Sequence, residues 1–483
     1  MATPPHGTSE ATLERLIACS VDQRLHNVRY RQRQLLLLHQ FLRQHSAKIC
    51  DLIMQDSGHS REESWLEFSL TLIKINKLYE QLDFDDALKR EYSVSRNESY
   101  IDCRAPHGIA LIRPGSYTAF YSIFSATAAA LAAGNCVVVQ TTSEKPSALV
   151  SFFIEGFTVL DHDVFAILTT EPEPVLLSQC FVIEQTNLDQ GGGDLAPLLP
   201  YTIAVVDRTA DIQQAAQALC TARFSFKGKS PYAPDLVLVN EWVMQVFLQA
   251  CVRELGGDPN NLKSAGALPK PGSDFTGTGE TSIFRIGESE VIYDASRRKL
   301  ERAAGGPLRL IASTGLISTI TEASQYGTLL AGYYFGDSKT CKFLHQSLDS
   351  KIAFINNIPL SILVGPIRPE TELSPIQIDT CYDLMIMSKP KPVFVFKSND
   401  SNLLSLNARD FCLRELKRSK TQRLQSLEQL AMQPLRAIQQ HSGSGSGFFD
   451  QGIMTGLIAF VLPTVVVLGW AVFRGGKYLW ALY

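Results

Sequence analysis

Hydrophobic residues recur every three or four positions between residues 13 and 82, and this spacing predicts a helical N-terminal region. Beyond it, short apolar runs predict buried strands, and helical spacing returns between them. The clearest strand-like runs cover residues 105–114, 137–139, 164–168, 200–207, 236–240, 308–311 and 329–335. Strands that alternate with helices in this way indicate an α/β fold built on Rossmann-type βαβ units.

The C-terminal part of the chain has a different pattern. Residues 402–440 are basic with helical spacing, and the Gly/Ser run that follows predicts a flexible linker. Residues 452–473 contain no charged residue. A helix of this length, at about 1.5 Å per residue, is long enough to cross a bilayer core of about 30 Å. We therefore predict a C-terminal transmembrane anchor, with the globular part in the cytosol because no signal peptide precedes it.

Composition narrows the functional classes. The chain has 483 residues, 45% of them hydrophobic, and a formal net charge of −3. This length is enough for two or three domains, and the charge argues against a nucleic-acid partner. The ten cysteines are spread singly, without a Cys-x-x-Cys pair or a His/Cys cluster at metal-ligand spacing. We therefore expect reduced thiols and no metal site.

Residues 223–235 read RFSFKGKSPYAPD. They resemble the active-site segment of the aldehyde dehydrogenase superfamily, whose usual form is F-x-N-A-G-Q-x-C-x-A-P-D. Phe224, Gly228 and the Ala-Pro-Asp of residues 233–235 match that form. The position of the nucleophilic cysteine holds Pro231, whose side chain has no ionisable heteroatom to attack an aldehyde.

Two further stretches carry the same resemblance. Residues 105–114 are similar to the family's P-x-G-V-x-x-x-I-x-P strand, and residues 131–139 to its A-L-A-A-G-N-x-V-V element. The helical opening is similar to that of the class-3 branch. In that branch, a C-terminal anchor is typical of fatty aldehyde dehydrogenases, which oxidise long-chain aldehydes with NAD at the endoplasmic reticulum.

The resemblance implies an α/β aldehyde dehydrogenase-like fold: a Rossmann-like cofactor domain, an α/β catalytic domain and an oligomerisation strand, followed here by a transmembrane helix. We expect the N-terminal helices and cofactor domain in residues 1–215 and the catalytic-type domain in residues 216–370. The oligomerisation segment is expected in residues 371–400, with its strand at 390–396. The basic segment and linker follow in residues 401–451, and the anchor in residues 452–473.

The resemblance also places the family's site residues on this chain, and most of them have changed. Ser116 stands where an asparagine helps to hold the oxyanion, and Gln140 where a lysine contacts the adenosine ribose. Ser143 and Ala303 replace two glutamates, the second of which contacts the nicotinamide ribose. Asp189 falls at the general-base position in a segment that faintly resembles L-E-L-G-G, although an ordinary exposed loop aspartate explains it equally well.

We therefore expect a membrane-anchored protein that has lost dehydrogenase catalysis, binds no cofactor, and acts as a scaffold in a homodimer or in a heterodimer with an active relative. The alternative is an active oxidoreductase that uses NAD or NADP, or an esterase-like enzyme using Ser230 or Ser116 with Asp189. In a third interpretation, the sequence lacks a segment near residues 170–190, which would explain why this region is short. It would not explain the proline at position 231. The endoplasmic reticulum is favoured over the mitochondrial outer membrane and peroxisomes.

Overall fold

The computed structural model of the 483-residue chain describes residues 9–141, 147–156, 159–185, 200–257, 282–287, 289–294, 305–367, 382–395, 429, 431–434 and 448–480. The chain divides into two compact units, residues 1–395 and residues 396–483. Each unit is described by itself.

The helices of the first unit are α1 Ser9–Asp22, α2 Val28–Gln44, α3 Ser46–Ser57, α4 Arg61–Glu80, α5 Phe84–Glu91, α6 Ala119–Ala133, α7 Ala148–Gly156, α8 Pro174–Leu177, α9 Ile212–Phe224, α10 Met244–Glu254, α11 Leu316–Ser324, α12 Ser338–Ser347 and α13 Leu360–Leu363. Its strands are β1 Arg104–Pro106, β2 Ile109–Arg113, β3 Cys136–Gln140, β4 Phe165–Leu168, β5 Phe181–Glu184, β6 Thr202–Val206, β7 Leu236–Asn240, β8 Ser282–Ile286, β9 Ser289–Tyr293, β10 Leu308–Ser313, β11 Ala331–Phe335, β12 Ala353–Ile355 and β13 Ser388–Pro390.

The predicted helical opening is confirmed as α1 to α4. Helix α4 begins with a capping box, in which the Ser60 hydroxyl accepts from the Glu63 N–H and the Glu63 carboxylate accepts from the Ser60 N–H. Such a box satisfies two backbone donors that a helix start otherwise leaves without partners. The buried face of α4, which includes Phe68 and Ile75, packs with α6 in one core cluster.

The predicted Rossmann-type unit is present as a parallel four-stranded sheet in the order β4-β3-β2-β5. Helix α6 connects β2 to β3 and is almost entirely buried, because its many alanines allow close packing. It ends at Gly134, whose φ of 95° requires a residue without a side chain. Strand β5 was not predicted from the sequence.

The second sheet has seven strands in the order β12-β11-β6-β7-β10-β9-β8, and β8 and β9 pair antiparallel. The continuous apolar runs of β6, β7 and β11 are buried along their whole length, as expected for strands covered on both faces. Two hydrophobic clusters, one on each face, form the core. The domain boundaries at residues 215 and 370 stay predictions.

The strand predicted at residues 390–396 is displaced. Strand β13, Ser388–Pro390, pairs antiparallel with β1, and beyond it Val393 forms a single bridge to Tyr100. Pro390 and Pro392 have no backbone N–H, so a regular ladder cannot continue through residues 391–395. Phe396 lies outside the described residues.

The second unit contains α14, Phe448–Trp480. Within it, Gly452–Trp470 has a mean hydropathy of 2.2 and is not buried, and its length and composition are sufficient to cross a membrane. Pro463 lies inside the helix, where the Thr464 hydroxyl donates to the Phe460 carbonyl at 2.9 Å. The predicted basic segment and linker at residues 402–447 lie outside the described part, apart from residues 429 and 431–434.

Candidate active site

The segment that resembles the family's active site begins where α9 ends. Phe226, Lys227 and Gly228 all have positive φ angles, of 52°, 56° and 66°. For a residue with a side chain, this left-handed conformation costs about 1–2 kcal/mol. A Cβ at Gly228 would also lie 2.9 Å from the Arg223 carbonyl oxygen, so the glycine of the motif is required by the turn.

The strained loop is held by a carboxylate from α4. Glu63 Oε1 accepts from the Phe226 N–H at 2.6 Å, while its Oε2 accepts from the Ser60 N–H at 2.9 Å. On the other side, the Gly305 N–H donates to the Gly228 carbonyl at 3.1 Å. Glu63 therefore joins the start of α4 to the loop that carries the family's nucleophile position.

We expect Glu63→Ala to lower the free energy of unfolding by about 1–3 kcal/mol, because it leaves the Phe226 and Ser60 N–H groups without their acceptor. Urea unfolding of the full chain measures the change. The matched control is Glu62→Ala, which removes an exposed carboxylate from the same helical turn. Equal effects of the two substitutions would mean that Glu63 does not fix the loop.

The Ser230 side chain is buried, with 1% of its surface exposed. Its hydroxyl accepts from the Tyr232 N–H at 3.3 Å. Among the described residues, no carboxylate, imidazole or amine bonds to this hydroxyl. The Pro231 carbonyl accepts from the Thr202 hydroxyl at 3.1 Å. The family's nucleophile position is thus built into a hydrogen-bonded turn that offers no activated nucleophile.

The Ala-Pro-Asp match has a structural role in this turn. Asp235 Oδ2 accepts from the Thr202 N–H at 2.8 Å, and the Asp235 N–H donates to the Thr202 carbonyl at 2.8 Å. The Tyr333 hydroxyl donates to the Tyr232 carbonyl at 2.7 Å, and burial raises the pKa of this hydroxyl well above its usual value. These contacts fix the start of β7 beside β6.

Ser116, at the family's oxyanion position, is exposed. The preceding Gly115 donates its N–H to Gln185 Oε1 at 2.9 Å, and Gln185 Nε2 donates to the Ser122 carbonyl at 2.9 Å. Gln185 directly follows β5. Its side chain therefore ties the loop before Ser116 to helix α6.

A neighbour of Ser116 and a neighbour of Ser230 belong to the same buried cluster. Tyr117, next to Ser116, and Tyr232, close to Ser230, both belong to the core that covers one face of the seven-stranded sheet. The Tyr117 hydroxyl donates to the Gly365 carbonyl. The segment ending at Gly365 therefore contacts the loop that carries Ser116, whose neighbour Thr118 also accepts from the Gly365 N–H.

Gln140, at the family's lysine position, lies at the carboxyl edge of the four-stranded sheet. Its side chain is buried, and Oε1 accepts from Arg113 Nε at 2.9 Å. The same guanidinium pairs with Glu171 at 3.0 Å and Glu184 at 3.4 Å. Arg113 therefore links residues at or just beyond the carboxyl ends of all four strands. We refer to these four residues as the Arg113 network.

The four residues of the Arg113 network offer a dinucleotide no unpaired positive charge. In open parallel sheets the dinucleotide lies against the carboxyl ends of the strands. Here that edge presents two carboxylates, which repel phosphate, and its arginine is already paired with them. Gln140 also lacks the positive charge of a lysine. Asp189, Ser143 and Ala303 lie outside the described residues, so their roles stay predictions.

Sequence reasoning missed Glu63, Gln185 and Arg113. The Ser-x-x-Glu pattern at residues 60–63 is the sequence signature of a capping box and could have identified Glu63 as a helix-capping residue. Its second bond, to Phe226 across 163 positions of chain, has no local signature. Gln185 and Arg113 likewise acquire their roles only when distant strands come together.

Comparison with known proteins shows the fold and which proteins this chain resembles. Residues 18–176 match the aldehyde dehydrogenase family. The 4,4'-diaponeurosporen-aldehyde dehydrogenase of Staphylococcus aureus is 23% identical over 377 residues, which cover 70% of this chain and 75% of that protein. Bovine aldehyde dehydrogenase family 3 member B1 is 26% identical over 283 residues, covering 53% of this chain and 60% of the relative.

The chain has an aldehyde dehydrogenase-like fold, and residues 18–176 match that family. Its similarity to a family 3 member is consistent with the class-3 assignment. The solved structure of Staphylococcus aureus AldH in a substrate-bound state aligns with a TM-score of 0.59 at 15% identity, covering 85% of this aldehyde dehydrogenase-like chain and 99% of that one. At this identity the structural match shows the shared fold.

Proposed function

We propose that this aldehyde dehydrogenase-like protein is anchored in a membrane, has lost dehydrogenase catalysis, and serves as a binding or scaffold partner. The observation that carries the proposal is the Ser230–Pro231 pair. Proline cannot form the thiohemiacetal on which the family's oxidation depends, and the Ser230 hydroxyl is buried and bonded to the backbone.

The Arg113 network supports loss of the cofactor. Dehydrogenases of this family need NAD or NADP to accept the hydride, and this edge of the sheet replaces the lysine with a glutamine that already bonds to arginine. Two carboxylates beside it oppose the approach of phosphate groups. A protein without nucleophile and cofactor keeps the scaffold of the fold, which can still pair with a second copy or with an active relative.

Cofactor binding is tested by titrating NAD and NADP into the full-length chain and following its thermal unfolding, with an active aldehyde dehydrogenase as positive control. We expect no change of melting temperature up to millimolar cofactor, because a ligand that binds the folded state must raise it. A saturable rise would contradict loss of the cofactor site. Ester hydrolysis that disappears in Ser230→Ala would replace the proposal with an esterase.

Membrane anchoring rests on helix α14. We expect the full-length chain to sediment with membranes and to stay there after extraction with alkaline carbonate, because about 19 apolar residues are enough to span the hydrocarbon core. A chain ending at residue 447 should move to the soluble fraction. The control replaces the Gly/Ser run at residues 442–447 with another flexible sequence and keeps α14. Release of the full chain by carbonate would contradict membrane anchoring. Fluorescence imaging of the tagged full chain tests whether the protein is located at the endoplasmic reticulum.

A further inference from the structure

A cavity of about 770 Å³ lies away from the candidate active site. Its walls come from the α1–α2 junction, helix α5, strand β1, the end of α6 and the region around β13. Pro106 and Gly134, which precede β2 and β3, both line it. The cavity therefore lies at the amino-terminal edge of the four-stranded sheet, opposite the edge at which the Arg113 network lies.

The lining of the cavity combines apolar and cationic side chains. The apolar part includes Leu25, Val28, Leu82, Phe84, Val94 and Val393. The charged part consists of Arg31, Arg90, Arg104 and Lys391, with the acidic residues Asp83, Asp86 and the exposed Glu91. An apolar wall beside a few charged groups is the usual composition of a small-molecule site, and the volume is within the usual range of about 300–1,000 Å³.

Arg31 lacks an acidic partner among the described residues. Its Nη1 donates to the Ala132 carbonyl at 2.6 Å, and its Nη2 contacts the His26 carbonyl at 3.5 Å. Nε is buried without a hydrogen-bond partner, and no described carboxylate pairs with the group. Burial lowers the pKa of the Arg31 guanidinium to about 10. A desolvated cation of this kind gains most from a counter-anion.

Two of the three acidic residues in the wall are already engaged. Asp86 pairs with Arg90, and Asp83 accepts backbone N–H groups at the start of α5. Arg104 donates from Nε to the Ser388 hydroxyl at 2.8 Å, so its partners among the described residues are neutral groups. Two guanidinium groups in one cavity, those of Arg31 and Arg104, are therefore bonded to neutral oxygens, and both can bind an anion.

We propose that this cavity binds a small amphipathic anion, whose carboxylate or phosphate group pairs with Arg31 and whose apolar body packs against Val28 and Phe84. A planar guanidinium matches the geometry of either head group. This binding role is separate from the dinucleotide edge of the sheet. It gives a protein without dehydrogenase catalysis a ligand that it can carry or sense.

The test titrates octanoate and octyl phosphate into the full-length chain in lipid nanodiscs by calorimetry, with empty nanodiscs as the blank. We expect saturable binding of at least one of the two anions, and the stronger one identifies the head group. Octanol and inorganic phosphate should bind at least about 10-fold more weakly, because octanol lacks the anionic head group and phosphate lacks the apolar body. No saturable heat from either anion at millimolar concentration, or equal binding of octanol, would overturn the proposal.

Variants then assign the site. Arg31→Met should weaken binding by about 10-fold or more, the expected loss for a hydrogen bond to a charged group. Arg33→Met removes an exposed arginine from the same helix and should leave the affinity within about 2-fold. Lys391→Glu changes an exposed residue at the rim, leaves the core intact, and should also weaken binding. Unchanged affinity in both Arg31→Met and Lys391→Glu would refute the site, whatever the cofactor titration gives.

Discussion

We expect the purified full-length chain to form NADH from NAD and a long-chain aldehyde no faster than a mixture without protein. In a serine protease, loss of the nucleophile costs about 10⁶ in kcat, and loss of one oxyanion donor costs about 10²–10³. On the proposed correspondence with the family, Pro231 takes the place of the nucleophile and exposed Ser116 that of the oxyanion asparagine. The measurement is NADH absorbance, with an active aldehyde dehydrogenase as positive control.

Restoring the cysteine alone should not restore turnover. In Pro231→Cys the thiol would enter the loop that Glu63 already holds, but the Arg113 network would still oppose the cofactor. The triple variant Pro231→Cys, Ser116→Asn and Gln140→Lys is the stronger test, since it returns three family residues together. NADH formation by the wild-type chain would refute loss of catalysis. Activity of Pro231→Cys alone would show that the chain still binds NAD.

Much of the fold could be predicted because its signals are local. The apolar runs of β6, β7 and β11 are buried on both faces, so their hydrophobic pattern was continuous. Strand β5 was missed although Phe181, Val182 and Ile183 favour a strand, because it is only four residues long and half-buried and lies where the family resemblance gave a loop. The strand near Pro390 was misplaced because its alternating side chains suggested a ladder that its prolines interrupt.

The candidate site also has a part that could be predicted from the sequence and a part that could not. Resemblance located Pro231, Ser116 and Gln140, because each lies inside a recognisable motif. The contacts that now occupy these positions could not be predicted from one sequence. Arg113 reaches Glu184 across 71 positions of chain and Gly115 reaches Gln185 across 70, so neither pair leaves a local pattern. Such contacts depend on the order of strands in the sheet, which motif matching alone does not give.

Glu67→Ala should lower the free energy of unfolding by about 2–4 kcal/mol, because it leaves the Tyr121 N–H without its acceptor and removes buried side-chain atoms. Glu67 is fully buried on α4, and its Oε1 accepts from the Tyr121 N–H at 3.1 Å. Its Oε2 lies 3.7 Å from Nδ1 of His59, whose side chain is 1% exposed. The His59 ring packs edge-on against Phe226, so the substitution would also loosen the strained loop.

Two further variants separate the causes of this loss. Glu67→Gln keeps both the side-chain volume and an acceptor for the Tyr121 N–H, so it should cost less than Glu67→Ala, about 0.5–1.5 kcal/mol. Glu62→Ala, at an exposed position of the same helix, should stay within about 0.5 kcal/mol of the wild type. Urea unfolding of the full chain measures all three. If Glu67→Ala fell within about 1 kcal/mol of Glu62→Ala, the contacts of Glu67 would not be what joins α4 to α6, and packing of α4 alone would have to account for its stability.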